Sequence, residues 1–153
     1  MTCAADDPFD LSRFVAAQAR DYATALAEIR AGRKESHWIW YILPQLRGLG
    51  SSGMSVKYGI ASLQEARAYL AHPLLGNRLR ECVEALLALP GEASADRILG
   101  ETDAMKLCSC LTLFRAAGGA GSCFDRALTR FYRGEPDTRT VDLLERQRGK
   151  SMQ

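Results

Sequence analysis

Three groups of residues in this chain are of types that can do chemistry. The first is GLGSSGMS, residues 48–55, with Gln45 just before it and Lys57 and Tyr58 just after. Gly48, Gly50 and Gly53 have the spacing of a dinucleotide-binding loop. Gly48, Gly53 and Ser55 have that of a phosphate loop in which Met54 stands where lysine belongs. Both patterns need a strand that delivers the glycines to a helix N-terminus. Here HWIWYILP comes first, a helical segment stopped by Pro44, and residues 69–72 offer no carboxylate for a ribose. Neither named motif holds. What survives is a loop whose backbone N–H groups and Ser51, Ser52 and Ser55 hydroxyls can converge on an anion. Arg47 and Lys57 flank it, and His37 and Trp38 lie upstream.

The second group is Asp103, Lys106 and Ser109, which successive helical turns bring to one side of a helix. If it faces the glycine-serine loop, a two-walled site forms for a small phosphorylated or nucleotide-like ligand. Trp38 or Tyr58 would stack, Lys57 and Lys106 would hold the anion, and His37 or Asp103 would carry protons as candidate catalytic groups. A plainer reading stands beside it. The loop then only joins two helices, Trp38 is core, the serines bond their own backbone, and Asp103–Lys106 is a solvated i,i+3 pair.

The third group is Cys108 and Cys110. On a helix, residues two apart point about 200° apart, so CSC is no chelate, and nothing in the spacing brings either thiol to His37. Five cysteines without a C-x-x-C pair, and only His37 and His72, imply neither metal site nor cofactor. Arg126, Arg130 and Arg133 share a helix face beside Phe131 and Tyr132, a pattern that can touch nucleic acid, but nearby Asp125, Glu135 and Asp137 dilute it.

The elements that must position these groups are helical. Apolar residues from Asp10 to Ala31 recur at helical spacing, with Asp10 available as N-cap and Gly32 past the end. Ser36 can cap a short, all-round apolar helix through residues 37–43. Residues 45–59 read as a loop with a turn of helix near 55–58, or with SVKYGI as a short extended piece. Ser62 and Glu65 form a capping box for a helix to Ala71, and His72 can cap the next, which ends at Pro90. Further helices are expected over 95–99, 103–116, 123–133 and 140–148. The expectation is a single all-α multihelical domain of about seven helices, globular over residues 9–148.

Size and composition agree. A chain of 153 residues, 47% hydrophobic and 25% charged, can bury one core, and a net charge of +2 makes no strong case for nucleic acid or an anionic membrane. Residues 1–11 lack a secretory pattern, and the WIWYIL run is too short to span a bilayer, so a cytoplasmic protein without a membrane partner is expected.

The run ESHWIWYILPQLRGLG, together with DAMKLCSCLTLF and FYRGEPDTRTV, resembles a bacterial family known as domain of unknown function 1810, at times labelled calpastatin. The resemblance spans Phe9 to Leu143. Leu43 stands where phenylalanine is expected, and Cys110-Leu111 where Ser-Met is common, both tolerable core changes. The resemblance implies a compact helical fold and no assigned reaction. A looser similarity to a mostly helical family that acts on ADP-ribose derivatives supplies a ligand class. Two alternatives stand beside ligand binding: a helical protein-interaction module with an exposed apolar patch, and weak nucleic-acid binding through the C-terminal basic region.

Overall fold

Helix α1 (Ser12–Arg30) starts on Asp7 in the computed structural model, which describes residues 7–118 and 121–151. The Asp7 carboxylate accepts from the backbone N–H groups of Leu11 (2.7 Å) and Ser12 (3.0 Å). Asp10, the expected cap, has φ +52, outside the extended conformation from which a capping carboxylate reaches the first turn. Gly32, at φ +77, ends the helix as expected.

The aromatic segment forms only one turn, α2 (Ile39–Ile42). Ser36 does not cap it. The Ser36 hydroxyl instead donates to Glu28 Oε2, and the Glu35 and Ser36 N–H groups donate to Glu28 Oε1, so the chain wraps around the Glu28 carboxylate before it turns helical. The glycine-serine stretch condenses into α3 (Gly53–Tyr58), where Ser52 Oγ accepts from Ser55 N. SVKYGI is therefore mostly helical, and Ile60 makes a single parallel bridge with Leu46.

The later starts follow the sequence closely. Helix α4 (Leu63–Ala71) is capped by Ser62, while Glu65 Oε1 accepts from Ala61 N rather than closing the box on Ser62 N. His72 Nδ1 accepts from Leu74 N and Leu75 N to start α5 (Leu75–Leu87). After α6 (Ala95–Leu99), α7 (Glu101–Gly118) runs longer than expected. α8 (Cys123–Tyr132) closes on left-handed Arg133 and Gly134, and Asp137 caps α9 (Thr138–Ser151). The described residues thus hold nine helices, of which α2, α3 and α6 are one or two turns each.

Helix α7 packs against α4, α6, α8 and α9, and α1 against α2 and α5. A row of rings crosses the core: Tyr58, Phe14, Tyr69, Phe114 and Phe124 lie at successive centroid separations of 5.9, 5.1, 5.4 and 5.7 Å. These are the offsets at which ring quadrupoles attract. The buried amide of Gln18 ties the row to α2 by donating to Tyr41 O and Tyr69 Oη. Among the described residues, no helix is long and apolar enough to cross a membrane.

Candidate functional site

The turn after α1 carries Lys34 to the start of α7. Its N–H donates to Ile98 O at 2.7 Å, which fixes the backbone against α6, and its Nζ lies 2.9 Å from Asp103 Oδ2. Lys106, one turn along α7, approaches Asp103 Oδ1 at 3.6 Å. One carboxylate therefore faces two ammonium groups, with side-chain exposures of 8% for Lys34, 17% for Asp103 and 23% for Lys106. Each ammonium also lies against an indole: Lys34 Nζ is 5.1 Å from the Trp38 ring and Lys106 Nζ 5.5 Å from the Trp40 ring. Ring faces attract cations, so each indole adds to the hold that Asp103 has on its ammonium group.

Trp38 is a wall rather than a stacking surface. It is 1% exposed, and its indole N–H donates to Glu28 Oε1 at 2.9 Å. Burial works against ionisation of Glu28, but donors from Ser36, the Glu35 N–H and the Trp38 indole outweigh it and hold the carboxyl at about 2. Trp40, two positions on, is half-buried beside Lys106 and is the ring a ligand can reach.

The other expected residues divide. His37 is exposed, and its carbonyl accepts from Tyr41 Oη. Gln45 gives its carbonyl to Ile60 N, within the backbone of the single bridge. Ser52 and Ser55 are joined hydroxyl to hydroxyl at 2.9 Å within the cap of α3, while Ser51 is exposed. Lys57 extends over the Tyr58 ring, Tyr58 packs on Phe14 and Tyr41, and Arg13 Nε donates to Lys57 O, so this pair belongs to the α1 side. Ser109 is buried and donates back to Met105 O. Among the described residues, ion pairs and ring contacts join Asp103 and Lys106 to Lys34 and Trp40, and no ion pair or ring contact joins them to residues 51–58. The sequence reading missed Lys34 and Trp40. The separation of Lys34 from Asp103 carries no periodic signal, but opposed directions for Trp38 and Trp40 were legible in a helical segment.

Among the described residues, burial raises the thiols of Cys82, Cys108, Cys110 and Cys123, which disfavours the nucleophilic thiolate. Burial, and then the Asp137 charge, push Cys108 up to about 11, and burial pushes Cys82 up to about 12. Two arginines of the basic face are engaged: Arg126 pairs with Glu84, and Arg130 donates to the carbonyls of Leu86 and Leu87 at the end of α5 and of Pro90 beyond it. The exposed large apolar residues Val56, Leu74 and Met105 come from three separate stretches of the chain.

Residues 8–144 match the model of a family described as protein of unknown function DUF1810. The crystal structure of a conserved hypothetical protein from Mycobacterium tuberculosis is similar at 52% identity and a TM-score of 0.88, covering 91% of this chain and 99% of that one. No curated protein matches the chain.

Proposed function

The chain belongs to this family of unknown function, and from that premise, which names no reaction, we propose that it binds a small anionic, ring-bearing ligand of the nucleotide or sugar-phosphate kind. One observation carries the reading: two ammonium groups converge on the single carboxylate of Asp103. Lys34 is nearly buried and cannot leave its partner cheaply, so its charge and that of Asp103 offset each other. Lys106, longer in its ion pair and more exposed, is the group free to turn toward a phosphate. Trp40 beside it offers a ring face to a base or sugar. Asp103 is then a positioning residue that holds both lysines. The thiols described as free, Cys82, Cys108, Cys110 and Cys123, fit the reducing cytoplasm as the setting.

A thermal-shift series with AMP, ADP-ribose and glucose 6-phosphate tests the proposal. A compound at about 100 times its dissociation constant stabilises by about 2.7 kcal/mol. Such a gain in the parent and in Lys57→Ala, together with its loss in Lys106→Ala, is the expected pattern. A gain lost in Lys57→Ala and kept in Lys106→Ala would place the ligand on the α3 loop and overturn the proposal.

A further inference from the structure

On another side of α7, Ala104 and Cys108, four apart and so on one helix face, form the floor of a groove of about 570 Å³. Such a volume suits a small molecule. Its far wall is the elbow between α8 and α9, residues 131–138. That wall is built in advance. Tyr132 Oη donates to Ala104 O, Glu135 N to Tyr132 O at 3.0 Å, Gly134 N to Leu128 O at 2.9 Å, and Asp137 N to Thr112 Oγ1 at 2.8 Å. Arg133 adopts φ +57, a conformation few non-glycine residues take, and so turns the chain around the groove.

The lining has two parts. Phe131, Tyr132, Pro136 and Met105, the last 68% exposed, make an apolar slot. Asp96, Glu135 and Asp137 stand around it against the single guanidinium of Arg133, and among the described residues none of these four charges is in an ion pair. Three carboxylates against one cation leave an excess of negative charge beside an apolar slot of flat rings.

We infer that this groove binds a small organic amine, with its apolar body between Met105 and the Phe131–Tyr132 rings and its ammonium among Asp96, Glu135 and Asp137. Cation–ring attraction and charge-assisted hydrogen bonds would act on the same group. The site is independent of the anion site, which uses a different face of α7 and the opposite charge.

Calorimetric titration of the full chain with tryptamine tests the inference, with indole-3-acetate as the same ring carrying the opposite charge. The expected result is one saturable site for tryptamine. It should be weakened about tenfold or more in the Asp96→Asn/Glu135→Gln variant and unchanged in Lys106→Ala. Both substituted side chains are exposed, and the far-ultraviolet circular dichroism of the variant verifies its fold. The inference is overturned by an absence of tryptamine binding at about 1 mM, by equal binding of indole-3-acetate, or by undiminished binding to the folded double variant.

Discussion

Lys34 Nζ lies 2.9 Å from Asp103 Oδ2, which joins the turn after α1 to the first turns of α7 across a long stretch of chain. The pair is asymmetric in what its loss exposes. Asp103 keeps a second cation in Lys106, whereas no other carboxylate pairs with Lys34 among the described residues. Asp103→Ala should therefore cost about 2–3 kcal/mol and Lys34→Met about 1 kcal/mol, both discounted from values for full burial. Urea unfolding of both variants measures the difference, and equal losses would contradict the asymmetry.

Glu28 supplies a pH dependence. Its folded carboxyl sits at about 2 against an ordinary 4.5, so its contribution is fully present above about 4.5 and fades as pH falls toward 2. At neutral pH Glu28→Gln should be less stable than the parent by on the order of 1–2 kcal/mol, allowing for solvent screening. Thermal melts from pH 7 to pH 2 should show this gap closing across that window. A gap that holds constant to pH 2 would assign the loss to packing instead.

At Gly76 the backbone of α5 meets the end of α4 so closely that a Cβ would stand 2.1 Å from Leu70 O. That oxygen belongs to the backbone and cannot swing away, so Gly76→Ala should destabilise by about 1–3 kcal/mol despite its better helix propensity. For a chain of this size the melting temperature should fall by roughly 2–4 °C per kcal/mol.

Arg130 donates to the carbonyls of Leu86 and Leu87 at the C-terminal end of α5 and to Pro90 O just beyond it. Arg130→Ala should lower stability by about 1 kcal/mol, since Leu86 O and Pro90 O keep the N–H groups of Leu89 and Ala93 and only Leu87 O loses its donor. Gel retardation of RNA at low salt should not differ between this variant and the parent. A loss of retardation in the variant would return the basic face to nucleic-acid binding.

The helix starts at Ser62 and His72 were legible in the sequence because a capping side chain acts within three residues of its own position. Ser36 and Asp10 had the same chemistry but lost their places to carboxylates a short way back along the chain. Glu28, eight positions back, claimed the Ser36 hydroxyl, and Asp7 held the first turn that Asp10 was expected to hold. The Asp103–Lys106 pair was legible for the same local reason as the caps. Lys34 was not, because only the completed fold sets the end of α1 against α7. The Ser52 hydroxyl looked like a ligand group from composition and serves as a helix cap in the structure. Ser52→Ala should accordingly cost about 1 kcal/mol and leave ligand affinity unchanged.

Trp38 and Trp40 are the two tryptophans of the chain, so intrinsic fluorescence reports on the Lys106 site directly. The deciding measurement is a fluorescence titration with ADP-ribose and AMP of the parent, Trp40→Phe, Lys106→Ala and Lys57→Ala. Anion binding beside Trp40 should give a saturable change in the parent and in Lys57→Ala, and no change in Trp40→Phe or Lys106→Ala. A saturable change that survives Lys106→Ala and disappears in Lys57→Ala would contradict the site at Trp40 and Lys106.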